Sequence, residues 1–253
     1  DDLCPRYRSR LVARQLKVHD KTGSSYFAPT PPLEALRTIL SFATSKIGDW
    51  VPCYEPKSKR RMQIAFVDIS RAYFNARVEP NSETYVQLPE EDPDNVSCCA
   101  KLLRHMYGTR AAADGWQEEY SSFLVQTIGF CQGLSSPCVF RHPSKLLVVS
   151  VHGDDFTIAG ACEDLDWFEV VIQEHYECTL QPRIGPGPED ASEGLVLNRV
   201  VRWTAEGVEY EADPRQAEKL IAECGLTDSN TVATPGQRLA FAELEKDLPL
   251  EKK

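Results

Sequence analysis

Long apolar runs and metal-binding cysteine pairs are both missing from this sequence. None of its apolar stretches approaches the roughly 20 residues that a membrane-spanning helix needs, so we expect no membrane association. No Cys-x-x-Cys occurs among its nine cysteines, which argues against a zinc ribbon or knuckle. No N-terminal secretion signal is recognisable either. We therefore expect a reducing, cytoplasmic environment, in which the cysteines behave as small buried hydrophobes.

Positive charge is scarce and unevenly distributed. The chain has 28 Lys and Arg against 38 Asp and Glu, for a net charge of −10. This balance argues against a protein that binds nucleic acid over its whole surface, because such surfaces are basic. Twelve of the basic residues nevertheless fall within 1–61, whereas acids concentrate from Glu163 onward. The sequence therefore allows one cationic groove on an otherwise acidic protein.

Two adjacent acids lie between two apolar runs in LLVVSVHGDDFTIAG (146–160). This pattern predicts a strand, a tight turn and a second strand, with Gly153 permitting the positive φ of such a turn. Asp154 and Asp155 repel each other there unless a cation with a preference for oxygen ligands neutralises them. Because Asp is also an ordinary turn residue, these residues alone leave a metal site and a plain turn both open.

A third acid ends the apolar strand predicted in MQIAFVDISRAYFNARV (62–78). Asp68 is then expected at the rim of a sheet, where binding sites are commonly built. A strand and a long helix lie between Asp68 and Asp154 in the sequence, which is compatible with their strands being neighbours. Three carboxylates at one rim match a two-metal site for in-line phosphoryl transfer, with ions about 3.5–4 Å apart.

Basic and apolar side chains alternate in RYRSRLVARQL (6–16), which predicts a strand with one cationic face. Such a face is typical of a solvated edge strand that resists aggregation. It also suits the binding of phosphates, whose oxygens match the fork geometry of guanidinium groups such as those of Arg10 and Arg14. The residues by themselves leave both interpretations open.

Apolar stripes and end signals predict the remaining elements. A hairpin turning at Glu206 and Gly207 is expected over 195–212. Asp114 is expected to cap the second helix, and Pro214 to open the last one. The predicted order gives an α+β protein in which helices pack on a mixed sheet. The helices are expected at 33–48 (stripe Leu33, Leu36, Ile39, Leu40, Ala43), 114–129 (Trp116, Tyr120, Phe123, Leu124, Ile128), 163–178 (Leu165, Phe168, Val171, Ile172) and 213–226.

Several segments follow one another in the order and spacing of a known family pattern. They are RYRSRLVARQ with FAPTPPLEALRTILSFA (family K-x-R-L-V-A-R-G … F-A-P-V), IAFVDISRAYFNARVEPNSETYVQLPE (family D-V-x-x-A-F-L-N-G … Y-M-x-Q-P), KLLRHMYGTRAAADGW (family L-x-K-A-L-Y-G-L-K-Q-A-P-R-x-W), VHGDDFTIAG (family Y-V-D-D), LNRVVRW and VATPG. In these segments the chain resembles the reverse transcriptases of Ty1/copia-type LTR retrotransposons.

The resemblance implies an α+β right-hand polymerase with fingers, a palm that carries an antiparallel sheet, and a partial thumb. The expected bounds are 1–61 for the N-terminal part of the fingers, 62–78 for the first part of the palm, 79–140 for the fingers/palm connection, 141–209 for the palm with its Asp-Asp hairpin, and 210–253 for the start of the thumb and a C-terminal tail.

The resemblance also implies RNA- and DNA-templated DNA synthesis from dNTPs on a primer, with two Mg²⁺ ions that Mn²⁺ can replace. By position, Asp68, Asp154 and Asp155 would bind the metals, with Asp155 the least critical. Tyr73 would lie under the incoming sugar as a steric gate against a 2′-hydroxyl. The finger positions expected near the triphosphate are Arg10 and Arg14.

The wider context implied by the resemblance is a retrotransposon polyprotein. The partners would be an RNA or DNA template with its primer, and the integrase and RNase H regions of the full-length element, which this chain does not contain. The expected location is the cytoplasm, within the virus-like particle of the element, or the nucleus.

Departures from the family pattern keep other functions open. His152 and Gly153, expected at the primer end, replace the family's Tyr-Val, and Asn198 replaces a Gly. Ala111 replaces a Gln that supports the incoming nucleotide, and it has no side-chain hydrogen-bonding group. A catalytically decayed copy that keeps the fold and nucleic-acid binding is therefore an alternative. A metal-dependent phosphohydrolase is disfavoured because no water-activating base is recognisable, and a purely structural protein because three acids at one rim are costly without a cation.

Overall fold

The computed structural model describes residues 9–15, 26–45, 60–212 and 214–231. The chain divides into two compact units, Asp1–Glu211 and Ala212–Lys253. All the elements below belong to the first unit except the last helix, which belongs to the second. Part of the predicted N-terminal strand, the residue Asp213 and the segment VATPG lie outside the described residues.

The strands form three antiparallel sheets. The central sheet has six strands in the order β4-β5-β6-β7-β1-β8, a second has the order β11-β10-β9, and the third pairs β2 with β3. The bounds are β1 Met62–Ile69, β2 Tyr85–Gln87, β3 Cys99–Lys101, β4 Cys131–Gln132, β5 Val139–Arg141, β6 Leu147–His152, β7 Asp155–Ala161, β8 Cys178–Leu180, β9 Glu193–Val196, β10 Arg199–Trp203 and β11 Val208–Tyr210.

Four α-helices accompany these sheets in the described part of the chain, which confirms the predicted mixture of helices with antiparallel strands. They are α1 (Leu33–Thr44), α2 (Ala112–Ser122), α3 (Cys162–His175) and α4 (Pro214–Glu223). A 3₁₀ helix, Ala72–Asn75, follows β1, and a π-helical turn, Phe123–Thr127, continues α2. None of the described helices has the length and apolar composition that crossing a bilayer requires.

Both faces of the central sheet are covered, which explains the unbroken apolar run of β1. Side chains alternate between the two faces of a strand. Ala65, Val67 and Ile69 join a buried cluster with α2 and α3. Ile64 and Phe66 join a second cluster with α1, β9 and β10. Asp68 follows Ile64 and Phe66 in that alternation, so it ends the row on the α1 face of the sheet.

The helix predictions are largely confirmed. In α1 the predicted positions Leu36, Ile39, Leu40 and Ala43 are buried and Leu33 is partly buried. In α3 the positions Leu165, Phe168 and Ile172 are buried and Val171 is partly buried. The helix ends before the predicted limit, because Cys178 already belongs to β8. As predicted, α4 begins at Pro214, and Gly225 follows it at φ +67°.

The prediction that Asp114 caps α2 is wrong. The helix begins at Ala112, and Ala111 occupies the capping position without a side-chain hydrogen bond. Asp114 lies in the first turn of the helix, where its Oδ2 accepts a hydrogen bond from the backbone N–H of Phe27, 3.1 Å away. Its negative charge at the helix N-terminus still complements the helix dipole. An acid is therefore favourable at this position, but its side chain binds the Phe27 segment and not the N–H groups of its own helix.

Two strand predictions also need correction. The predicted single strand before Glu206 is two strands, because Leu197 and Asn198 form a turn at φ +48° and +64°. Asn tolerates this left-handed conformation better than most residues, so Asn198 can stand where the family pattern has Gly. Residues 9–15 are not in a strand. Only two of their backbone N–H groups, those of Ala13 and Gln15, bond to another described segment.

Candidate carboxylate site at the sheet rim

The β6–β7 hairpin presents two of the three predicted acids. His152 and Asp155 pair across its end, so Gly153 and Asp154 form a two-residue turn. Gly153 has φ +66°, whereas Asp154 does not have a positive φ. A positive φ at the first turn residue alone is the pattern of a type II′ hairpin, which favours Gly at that position. The predicted strand, tight turn and strand are therefore confirmed.

Asp68 reaches the same rim through the pairing of β1 with β7. The two strands are antiparallel, and Asp68 lies directly opposite Asp155. The hydrogen bonding between the two strands continues one residue further, where the N–H of Ile69 donates to the carbonyl oxygen of Asp154 at 3.0 Å. Directly opposite residues share a face of the sheet, with Cβ atoms about 4.5–5.5 Å apart. The predicted convergence of Asp68 with the hairpin acids is thus confirmed at the level of the backbone.

Electrostatic repulsion marks the three carboxylates as one group. Burial, and then the negative charge of Asp154, raise the pKa of Asp68 above its ordinary value. Burial raises the pKa of Asp155, the charges of Asp154 and Asp68 raise it further, and His152 opposes them. Within the described residues, none of the three forms an ion pair with Lys, Arg or His. The rim therefore holds negative charge that a cation would stabilise.

The donor chemistry of the rim fits magnesium. Carboxylate oxygens are the ligands that Mg²⁺ prefers in proteins, and Asp68 and Asp154 are exposed while Asp155 is half-buried. Within the described residues, no three His, Cys, Asp or Glu side chains are arranged to hold an ion as they stand. The backbone thus brings Asp68, Asp154 and Asp155 to one rim. Their carboxylates would have to rotate toward one another to coordinate an ion together.

Trp116 of α2 supports the tip of the hairpin. Its indole Nε1–H donates to the carbonyl oxygen of Gly153 at 2.7 Å, and its side chain is only 2% exposed. The ring packs edge-on against Tyr120 and Tyr176, with centroids 5.5 and 5.3 Å away. The sequence predicted Trp116 only as a core position. A buried indole N–H needs an acceptor, but the helical pattern does not reveal which one.

Tyr107 connects the acids to a tyrosine and to an arginine. Tyr73, in the 3₁₀ helix that follows β1, has its ring centroid 4.6 Å from that of Tyr107. The guanidinium carbon of Arg10 lies over the Tyr107 ring, 4.4 Å from its centroid. Burial raises the pKa of Tyr107; Arg10 opposes this shift, while Asp154, Tyr73 and Asp68 add to it. Tyr107 therefore interacts electrostatically with the acids and with Arg10. The sequence did not predict Tyr107 as a site residue.

Segment 9–15 is attached at the turn that follows Tyr107. The N–H of Ala13 donates to the carbonyl of Tyr107 at 2.7 Å, and the N–H of Gln15 donates to that of Gly108 at 3.1 Å. The side-chain Oε1 of Gln15 accepts from the N–H of Arg110 at 2.8 Å. Gly108 has φ +87°, and a Cβ there would lie 1.8 Å from the Ala13 carbonyl oxygen. Only Gly permits this approach.

The other predicted site residues have separate surroundings. Arg14 is exposed and lines a groove of about 500 Å³ with β2 and Thr109. Ala111 precedes α2, and its carbonyl accepts from the N–H of Gly115 at 2.9 Å. His152 and Asp155 line a smaller cavity, about 200 Å³, between the hairpin and the start of α1. The structure thus places His152 and Gly153 in the same hairpin as the acids, and it links Tyr73 and Arg10 to them only through Tyr107. It shows no contact of Arg14 or Ala111 with the acids among the described residues.

No protein-family model matches the chain. What the site can do chemically follows from its geometry: three carboxylates lie on two paired strands, and Tyr107 lies within electrostatic range of two of them while its ring contacts a tyrosine and a guanidinium. Carboxylates bind hard divalent cations, and a guanidinium matches phosphate oxygens. A rim with both groups is suited to a metal-bound polyphosphate.

Proposed function

We propose that this chain is the RNA-directed DNA polymerase domain of a copia-type retrotransposon polyprotein. The observation that supports this most is the register of β1 with β7, which puts Asp68 opposite Asp155 and beside the Asp154 turn. A polymerase that uses two metals needs such a set of carboxylates, drawn from distant parts of the chain. The central antiparallel sheet would be the palm, the N-terminal segments and 79–140 would contribute the fingers, and 210–253 would begin the thumb.

The proposed reaction is nucleotidyl transfer to a primer 3′-hydroxyl. Asp68 and Asp154 would hold two Mg²⁺ ions with help from Asp155, and these ions would activate the hydroxyl and stabilise the leaving pyrophosphate. Arg10 would bind the triphosphate through its guanidinium. The Tyr73 ring, on the 3₁₀ helix that follows β1, would lie under the sugar and exclude a 2′-hydroxyl.

The protein's own contribution is then to hold these groups in place before the substrate arrives. The type II′ turn and the Trp116 hydrogen bond fix the position of the hairpin tip. Holding reacting groups in a productive geometry supplies a large part of enzymatic rate acceleration. The half-burial of Asp155 also limits the water that screens the charges around it.

Primer extension on a poly(rA)/oligo(dT) template with dTTP and Mg²⁺ tests the proposal. We expect incorporation by the wild-type chain and its loss in Asp154→Asn, because the amide cannot replace an anionic metal ligand. Asp94→Asn is the matched control, since Asp94 is an exposed acid of the 88–98 loop. Absence of incorporation by folded wild-type protein with either Mg²⁺ or Mn²⁺ would contradict the proposal.

A decayed copy that only binds nucleic acid is the second candidate. Ala111, which offers no side-chain hydrogen bond at the position of the family's Gln, is the observation that favours it. The expected result for such a copy is salt-sensitive binding of an RNA/DNA hybrid without turnover, because phosphate contacts release counterions. Extension of the primer that depends on added dNTP excludes it.

A further inference from the structure

We propose that Tyr107 is a positioning residue of the nucleotide site, whose ring holds Arg10 and Tyr73 together at the carboxylate rim. This inference rests on the proposed polymerase function and extends it to a residue outside the predicted site. Tyr107 is neither a metal ligand nor a base in this proposal. It acts through the two side chains that its ring contacts.

The contacts of the ring carry the inference. Arg10 lies 4.4 Å from the ring centroid and Tyr73 lies 4.6 Å from it, so one side chain bridges the residue expected at the triphosphate and the residue expected at the sugar. Phe74 touches the same ring edge-on at 5.8 Å. Arg10 is exposed, and within the described residues its side chain contacts the Tyr107 ring. The face of an aromatic ring attracts a guanidinium and restricts its motion.

The backbone of Tyr107 strengthens the same connection. Its carbonyl accepts the N–H of Ala13 at 2.7 Å, so segment 9–15 is attached to Tyr107 through both a main-chain and a side-chain contact. Gly108 allows the close approach of the two segments. Segment 9–15, and Arg10 with it, is thereby held against Tyr107 and Gly108.

Two functional consequences follow from this geometry. Loss of the ring would leave Arg10 free to rotate in solvent, which weakens the hold on the triphosphate. It would also leave a space beside Tyr73, so the tyrosine could move away from a 2′-hydroxyl. We therefore expect both a higher KM for dNTP and weaker discrimination against ribonucleotides, whereas a residue with only a structural role would lower stability without changing discrimination.

The test compares Tyr107→Leu, which removes the ring, with Tyr107→Phe, which keeps it. For Tyr107→Leu we expect the KM for dTTP to rise about three- to tenfold, and the preference for dTTP over UTP to fall by a similar factor, as expected for the loss of an exposed cation–π contact and a ring contact. Tyr107→Phe should stay within about twofold of wild type, because the phenyl ring retains both contacts. Val96→Ala is the control, since Val96 is a highly exposed apolar side chain of the 88–98 loop.

A double-mutant cycle tests whether Arg10 and Tyr107 act on nucleotide binding through the same contact. Arg10→Ala and Tyr107→Leu should be non-additive in KM, because each removes the same contact. Thermal melting confirms that the variants are folded. Wild-type KM and discrimination in folded Tyr107→Leu would overturn the inference and leave the polymerase proposal standing.

A second readout separates the two proposals. If the wild-type chain extends no primer, the polymerase proposal fails, and Tyr107 is then judged by equilibrium binding of dTTP with Mg²⁺ alone. Weaker binding by Tyr107→Leu than by Tyr107→Phe supports the inference. Equal binding by the two variants, or no binding by the wild type, overturns it.

Discussion

At the scale of single residues, we expect Asp68 to lower the stability of the fold slightly when no cation is present, since its side chain is exposed but its carboxyl lies close to Asp154. Its pKa is raised by burial and by Asp154, so the folded state binds its proton more tightly than the unfolded state does. Between the unfolded and folded pKa values the folded state therefore holds more protons, and stability falls as pH rises through that window. Above the window, at neutral pH, the full penalty is present. The pKa of Asp155 is also raised, so its ionisation likewise lowers the stability of the fold as pH rises.

We expect Asp68→Asn to be more stable than the wild type at pH 7 without divalent cations. The melting temperature should rise only slightly, because solvent screens the charge of the exposed Asp68 side chain. The difference should disappear below about pH 3.5, where the carboxyl is protonated in both states. Differential scanning calorimetry across pH 3–8 measures this.

Magnesium should reverse the order of the two proteins. A cation that binds only the folded state stabilises it, so Mg²⁺ should raise the melting temperature of the wild type and leave Asp68→Asn nearly unchanged. Asp94→Asn is the control for loss of one negative charge at an exposed position. A neutral-pH melting temperature of Asp68→Asn below that of the wild type, without divalent cations, would contradict the predicted destabilisation by this carboxylate.

At the scale of structural elements, segment 9–15 depends on one glycine. Both Gly108 and Gly129 have positive φ, +87° and +79°. A Cβ on Gly108 would lie 1.8 Å from a backbone oxygen, whereas on Gly129 the nearest atom would be 3.9 Å away. The two positions therefore share the backbone cost of a side chain at positive φ, about 1–2 kcal/mol. Only Gly108 adds a clash between segments.

We expect Gly108→Ala to displace segment 9–15, and Gly129→Ala to lower only the melting temperature. Under the polymerase proposal, Gly108→Ala should raise the KM for dTTP about tenfold or more, because a misplaced binding group loses much of its effect. Gly129→Ala should leave KM unchanged. Primer-extension kinetics at matched fractions of folded protein measure the contrast, and equal KM values for the two variants would rule out the predicted role of the segment.

Some helices, strands and turns of this protein could be predicted from sequence patterns, and others could not. The stripe of α1 and the β6–β7 hairpin could be predicted because apolar periodicity and a Gly at the turn are local signals. The turn at Leu197 and Asn198 was missed because Leu rarely adopts a positive φ. Asp114 was misassigned because an acid at the third helical position and one at the cap look alike in sequence.

At the scale of the whole molecule, the hydrophobic core belongs to the first compact unit. Both buried clusters consist of residues between Leu33 and Tyr210. The second unit begins at Ala212, and its described helix, α4, buries no residue. The first unit therefore contains the apolar surface that its own folding requires.

We expect the fragment 1–211 to fold on its own. It should melt cooperatively and keep the far-ultraviolet circular dichroism of a mixed α/β protein. The fragment 1–192 is the matched comparison, because it also lacks β9 and β10, which contribute Val196 and Val201 to the core. It should be less stable by several kcal/mol, since each large buried aliphatic side chain contributes about 1.5–3 kcal/mol. A non-cooperative melt of 1–211 would show that the second unit is needed for folding.

The sequence by itself determined the helices, the strands of the central hairpin and β1, and the identity of the acids at their ends. Apolar runs, turn residues and strand ends are set by neighbours in the chain, so Asp68, Asp154 and Asp155 could be assigned to strand ends. Only the tertiary structure decided that Asp68 lies opposite Asp155, that Trp116 holds Gly153, and that Tyr107 joins Arg10 to Tyr73. The physical reason is that register and side-chain contacts between distant segments depend on how both faces of the central sheet are packed, and no local pattern encodes that packing.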